Sequence, residues 1–192
     1  MEHKTVGFAV CGSFCTHHRA MEALEAVKAR YDHVIPIVSE VVADTDTRFG
    51  TAHDLMREME RICGRRVVDS IAKAEPIGPR HLLDVLVIAP CTGNTLAKLS
   101  GGVTDSTVTL AAKAHLRNGR PVLLAIASND ALAGNAENIG RLLARKHYYF
   151  VPFGQDDPEG KPCSLVADMN QLRPALEAAL QGRQLQPLLL HT

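Results

Sequence analysis

Val85-Leu86-Val87-Ile88-Ala89-Pro90-Cys91-Thr92-Gly93-Asn94-Thr95-Leu96-Ala97-Lys98 is the stretch that decides the fold. Val85–Ala89 runs through Val, Leu and Ile with no polar alternation, the pattern of a strand covered on both faces, as in a parallel sheet. Asn94–Leu99 reads as a helix, and Pro90–Gly93 turns the chain between the two. A strand buried on both sides needs helices above and below it, so this stretch predicts a layered α/β protein.

Outward from it the same alternation repeats. Thr5–Cys11 is an apolar strand ending in Gly12-Ser13, and Ala20, Leu24, Val27 and Tyr31 then recur at helical spacing. Val34–Val38 is a short β-branched run closed by Ser39. Thr51–Cys63 reads as a helix, with Thr51 as N-cap to Asp54 and Gly64 as its stop. Downstream, Asp105–Asn118 is helical with Asp105 at its start, and Pro121–Ala127 is a second buried strand. Asn135–Lys146 is a helix with Ile139, Leu142 and Leu143 inward. Tyr148–Val151 is a last strand, and a final helix lies within Leu165–Leu180, where Pro174 marks a start or a break. The tail from Gln181 to Thr192 carries no assignment. These elements predict one domain over 1–192: a doubly wound parallel sheet in three α/β/α layers, with right-handed crossovers.

Bulk properties set the limits. Lys plus Arg and Asp plus Glu number 21 each in 192 residues, which gives no electrostatic reason to expect a nucleic acid or an acidic membrane as partner. No apolar run approaches the roughly 18 residues of a membrane span. Met1-Glu2-His3-Lys4 leads straight into a strand, without a signal-peptide core. Five scattered cysteines do not form a disulfide framework, so a reducing cytoplasm is expected.

In such sheets ligands bind beyond the carboxyl ends of the strands. That rule selects Gly12–Cys15, Ser39, Cys91–Thr95 and Ala127–Asp130. Gly12-Ser13-Phe14-Cys15-Thr16 is either a phosphate cradle or an ordinary strand–helix turn; without G-x-G-x-x-G or a P-loop lysine, a mononucleotide fits it better than a dinucleotide. Pro90–Lys98 offers hydroxyls and an amide suited to a heterocycle edge or a phosphate, although a capped helix start uses similar residues. Cys11, Cys15, His17 and His18 match no zinc spacing, and no metal is expected. Cys15 reads as a small thiol, Asp44, Asp46 and Arg48 as a polar loop, Arg65-Arg66 as an exposed pair, and His115 as a surface histidine.

Taken together, Gly12-Ser13, Ser39, Ala89–Lys98 and Gly101-Gly102-Val103-Thr104-Asp105 resemble the flavoprotein family that includes phosphopantothenoylcysteine decarboxylase and the flavin prenyltransferases. The resemblance implies a Rossmann-like flavoprotein fold and FMN as cofactor, held by Gly12, Ser13, Phe14, Ser39, Thr92, Gly93, Asn94, Thr95, Ser128 and Asn129. A narrower resemblance covers nearly the whole chain. Thr47–Gly50, Ala74–Pro79, Ala114–Pro121, Asn129–Leu132, Tyr149–Pro158, Lys161–Ala167 and Gln184–Pro187 are similar to the flavoprotein (B) subunits of dipicolinate synthases. It implies oxidation of a dihydrodipicolinate-type intermediate during sporulation, a partner A subunit that supplies NAD(P), and a homo-oligomer, trimeric or larger.

The diacid needs amide or cationic partners, for which Asn129, Arg48 and Arg117 are the candidates; no acid–base residue is identified. The sequence departs from the decarboxylases in two places. Their catalytic histidine falls at Pro76, and of their P-x-M-N segment only Asn129 remains. An FMN-dependent decarboxylase- or prenyltransferase-like enzyme and a non-catalytic scaffold or activator subunit are the alternative readings.

Overall fold

The computed structural model describes residues 2–190. β1 (Glu2–Val10) leads through a 3-10 turn (Phe14–Thr16) into α1 (His17–Lys28), and β2 (Tyr31–Val38) is followed by α2 (Glu40–Asp44) and α3 (Ala52–Cys63). After α4 (Ile71–Ala74) come β3 (Val85–Cys91), α5 (Gly93–Gly101), α6 (Thr107–Leu116), β4 (Val122–Ser128) and α7 (Ala136–Leu143). β5 (Tyr148–Phe150), β6 (Phe153–Gly154), β7 (Leu165–Ala167) and α8 (Leu172–Leu180) complete the chain.

β2, β1, β3, β4 and β5 pair in parallel in that order, which places a topological switch point between β1 and β3. The outer edge of β4 is divided. Val122–Leu124 pairs with β5, whereas Ala127 and Ser128 pair antiparallel with Val166 and Leu165 of β7, and β7 pairs with β6. The sheet is therefore mixed at one corner and parallel elsewhere. α1, α3 and α8 pack on one face and α4 to α7 on the other, giving three layers. All seven residues of β3 are buried, as its uninterrupted apolar run predicts. Gly7 is required at the centre of β1, because a Cβ there would lie 2.6 Å from Leu83 Cδ1.

Several boundaries differ from the sequence expectations. Tyr31 opens β2 rather than closing α1, and its ring is fully buried. Leu165–Ala167 is a strand, and the final helix begins at Leu172. Thr51 caps α3 as predicted, accepting from Asp54 N at 3.0 Å. Asp105 does not cap α6; Ser106 does, in a capping box with Thr109, and Asp105 instead accepts from Lys98 Nζ at 2.8 Å. Leu143 is 43% exposed, because α7 ends at that residue and its apolar stripe stops at Leu142.

His115 is not on the surface. It is fully buried on α6, where its ring bonds to the Pro121 carbonyl through Nε2 at 3.0 Å, and desolvation lowers its pKa to about 4. The tail returns to the sheet as far as Leu190, whose amide donates to Phe153 O at 2.9 Å. Met1, His191 and Thr192, which the single-domain reading over 1–192 includes, lie outside the described residues.

Candidate functional site

The first loop is built around an unusual serine. Ser13 adopts left-handed backbone angles (φ 64°, ψ 50°), a region that non-glycine residues enter rarely and at a cost of about 1–3 kcal/mol. The surrounding chain holds it there. Thr16 donates to the Ser13 carbonyl from both N (2.9 Å) and Oγ1 (2.7 Å). His17, buried and with its ring 5.0 Å from that of Phe14, bonds through Nε2 to the Cys11 carbonyl at 2.9 Å. Burial is the main influence on His17 and lowers its pKa, so the neutral ring ties the turn to the end of β1. The Ser13 hydroxyl has no capping role.

The loop after β3 is closed by its own side chains. Thr92 caps α5, accepting from Thr95 N at 3.2 Å, and the two threonine hydroxyls lie 3.0 Å apart. Gly93 packs against the β4–α7 loop. A Cβ there would fall 2.5 Å from Asn135 Nδ2, 2.6 Å from Ser128 Oγ and 2.7 Å from Asp130 Oδ1. Asp130 accepts from Ser128 Oγ and, at 2.8 Å, from Asn135 Nδ2. The Ser128 bond first, and Asn135 with it, hold the Asp130 carboxyl below its usual range against a desolvation cost. Because the Ser128 proton goes to Asp130, Ser128 Oγ is left to act as an acceptor toward its surroundings.

Ser39 precedes α2 and makes no side-chain cap. The adjacent Glu40 crosses to the other face of the sheet, where its Oε1 accepts from Thr107 N (2.8 Å) and Thr107 Oγ1 (2.6 Å). The amino end of α6 is thereby satisfied within the chain.

Six of the sequence-predicted residues converge. Ser13, Thr92, Gly93, Asn94, Ser128 and Asn129 line one cavity of about 290 Å³ at the carboxyl edge. A second cavity of about 500 Å³ shares Ser13, Ser128 and Asn129 and adds Thr16, Arg19 and Lys161. Gly12 backs the first loop, its Cβ position 3.5 Å from Thr92 Cγ2, and Thr95 is buried beneath Thr92. Ser39 follows the neighbouring strand and lines neither cavity. Phe14 faces a separate cavity of about 370 Å³ beside Phe49.

The two arginines predicted for the diacid are elsewhere. Arg48 is exposed over the Phe49 ring, 4.8 Å from its centroid. Arg117 follows α6, two residues before the Gly119-Arg120 turn into β4, and lines an apolar cavity near Tyr148 at the opposite edge. A helix returning antiparallel to its strand puts its two ends at opposite edges, so Arg117 cannot reach the residues at the end of β4 within one chain. Arg19 and Lys161 were missed. Arg19 lies on the first turn of α1, and position alone could have marked it; Lys161 reaches the site only because β7 pairs with β4.

The four residues considered for a metal do not form a site. Cys11 is buried and desolvation pushes its thiol up to about 12, Cys15 is exposed, and His17 is engaged with the backbone. Among the described residues no group of three or more His, Cys, Asp or Glu side chains is placed to hold a metal ion. No described helix is long and apolar enough to cross a membrane.

The flavoprotein family model matches residues 1–171. The chain is 45% identical over 190 residues to the dipicolinate synthase B subunit of Bacillus subtilis (strain 168), spanning 99% of this chain and 95% of that protein. The crystal structure of the dipicolinate synthase B subunit from Bacillus halodurans C superposes with a TM-score of 0.89 at 47% identity, covering 98% of this chain and 97% of that one. The FMN-dependent cysteine decarboxylase SpaF shares the fold at 21% identity, with a TM-score of 0.67 over 93% of this chain and 95% of its own.

Proposed function

This chain belongs to the flavoprotein family, and from that premise we propose that it binds FMN at the carboxyl edge of its sheet. We propose further that it acts as the flavoprotein (B) subunit of a dipicolinate synthase, with an A subunit that brings NAD(P). The observation that carries this reading is the convergence of Ser13, Asn94, Ser128 and Asn129, from three separate loops, on one cavity. The 45% identity to a dipicolinate synthase chain of the same kind directs the choice of reaction.

The donor set fits the cofactor. The Ser13 and Ser39 hydroxyls cap nothing, and Thr16 is the first amide after β1 to donate to a backbone carbonyl of its own turn. Free hydroxyls and amides at the start of a helix suit a phosphate monoester. Asn94 and Asn129 are exposed at the mouth and can meet the polar edge of a ring, while Ser128 offers it an acceptor. FMN, when bound, supplies a two-electron acceptor for a ring that becomes aromatic on losing two hydrogens. The chain's own part is to orient: the His17 and Thr16 bonds fix the Ser13 turn, Gly93 allows the β4–α7 loop to close on α5, and Asp130 fixes Ser128. Thr92 and Thr95 serve this framework as caps.

The same reading assigns the protein to the mother-cell cytoplasm of a sporulating bacterium, as a homo-oligomer. Gly101 and Gly102, beside the 44%-exposed Val103, leave room for another copy to approach. Two measurements test it. Titration of the purified chain with FMN is expected to quench flavin fluorescence saturably, and no quenching at high FMN would remove the cofactor assignment. Dipicolinate formation is expected to be slow with this chain alone and efficient once the A subunit is added; full NAD(P)-dependent activity without it would refute the two-subunit reading.

A further inference from the structure

We infer that the cavity between α1 and the 154–164 loop binds a small planar dicarboxylic acid, with Arg19 and Lys161 as its two countercharges. The identity of the acid rests on the proposed reaction, whereas the anion site does not depend on the flavin.

The cavity, about 500 Å³, has a floor and two basic walls. Ala127 of β4 and Val166 of β7, paired across the antiparallel corner, form the apolar floor, on which a ring can lie flat. Arg19 rises from α1 on one side and Lys161 from the 154–164 loop on the other, and among the described residues these are the only Lys or Arg side chains in its lining. Between them stands Asn129 as a free neutral donor, because the hydroxyls of Thr16 and Ser164 already give their protons to the Ser13 carbonyl and to Asp156. An apolar floor with a cation at each side matches a ring that carries a carboxylate at each end, and a guanidinium adds planar, two-pronged recognition of one of them.

The loop is held in place, which fixes the backbone from which the exposed Lys161 side chain extends. Lys161 N donates to Asp157 O at 2.8 Å, Gln155 Nε2 to Pro162 O at 2.8 Å, and Ser164 N to Lys161 O at 2.9 Å. Leu132 N donates to Cys163 O at 3.0 Å, which ties the loop to the segment following Asn129. The acidic groups are already engaged. Asp156 is kept ionised chiefly by a bond from Ser164 and sits 3.5 Å from Lys161 Nζ, a distance at which an incoming carboxylate can share the ammonium. Asp130, across the cleft, is occupied by Ser128 and Asn135. The charged lining of this cavity is thus Arg19, Lys161 and Asp156, positive on balance, whereas Asp130 lines only the adjoining cavity, and a diacid belongs in the first.

Calorimetric titration of the full chain with pyridine-2,6-dicarboxylate in metal-free buffer tests this, with FMN titrated in parallel. Arg19→Gln and Lys161→Gln are each expected to weaken the diacid about tenfold, close to 1.4 kcal/mol, with FMN affinity within twofold of wild type. Arg19→Lys is expected to recover part of the loss. Arg48→Gln and Arg117→Gln are expected to bind the diacid as wild type does. No diacid binding by the wild type, or wild-type binding by both Arg19→Gln and Lys161→Gln, overturns the inference. So does loss of FMN with the diacid retained, since the two cations would then serve the phosphate. Diacid binding that depends on both cations in a chain that takes no FMN leaves this site standing and removes the cofactor reading.

Discussion

At the amino edge of the sheet, polar side chains are plentiful and bonded mainly within the chain, although the buried His115 Nδ1 has no partner. Asp84 accepts from Thr5 N at 2.8 Å and lies 3.6 Å from Lys4 and 3.7 Å from Arg120. Arg120 also donates to the Leu83 carbonyl, Asn118 donates to Gly78 O at 3.0 Å, and His115 reaches Pro121 O. At the carboxyl edge the residue types are similar, yet Ser13, Ser39, Asn94 and Asn129 have side chains that no cap or ion pair engages. The first arrangement stabilises the fold, and the second leaves hydrogen-bonding capacity for a ligand. What separates a structural from a functional polar residue here is whether the chain itself already satisfies it.

Substituting at each edge should break this contrast in opposite ways. The largest effect is expected from Ser13→Asp. Aspartate tolerates left-handed backbone, so the fold should survive, while a carboxylate would face the FMN phosphate. FMN affinity should fall at least about a thousandfold, roughly 4 kcal/mol, with an unchanged circular-dichroism melt. Equal binding by both proteins would place the phosphate elsewhere.

The closed edge should reveal itself in the pH dependence of stability. The folded-state pKa of His115 is lowered to about 4, so below its unfolded value near 6.5 the unfolded chain binds more protons than the native one. Stability is therefore whole above about pH 6.5 and declines toward pH 4, by as much as about 3 kcal/mol. His17, also lowered, acts in the same direction. Denaturant midpoints of wild type and His115→Gln across this window should diverge, with the flatter profile in the variant. Parallel profiles would mean that His115 does not carry the effect.

Asp84→Ala should cost about 2 kcal/mol, by orphaning the Thr5 amide and removing the carboxylate that faces Lys4 and Arg120. In a chain of this size that lowers Tm by roughly 4–8 °C, and FMN affinity should stay as in wild type. A change in FMN affinity without a change in Tm would erase the distinction between the edges. The smallest effect is expected from Asp130→Ala, which sits between the two classes. It removes the partner that orients Ser128 and so should weaken FMN by roughly fivefold, the worth of about one hydrogen bond. A loss as large as that of Ser13→Asp would make Asp130 a direct ligand contact.

The sequence by itself determined the five parallel strands, the layering and the edge at which to look. Val85–Ala89 and Pro121–Ala127 are apolar without alternation, and only a doubly covered strand tolerates that composition, so the parallel core was legible from local pattern. The turns after those strands carry the small hydroxylated residues that now line one cavity. Burial and partnership were settled only in three dimensions. His115 reads as a surface residue in a helical stretch, but α6 turns it under the chain toward Pro121, and desolvation keeps it neutral. Thr92 and Ser128 look like ligand groups, yet one caps α5 and the other gives its proton to Asp130. Arg117 and Lys161 exchange roles for the same reason. A helix carries one to the far edge, and an antiparallel pairing of Val166 with Ala127 brings the other, remote in sequence, to the site. Local periodicity records what each residue prefers beside its neighbours in the chain; which polar groups stay free depends on long-range pairing that no local window contains.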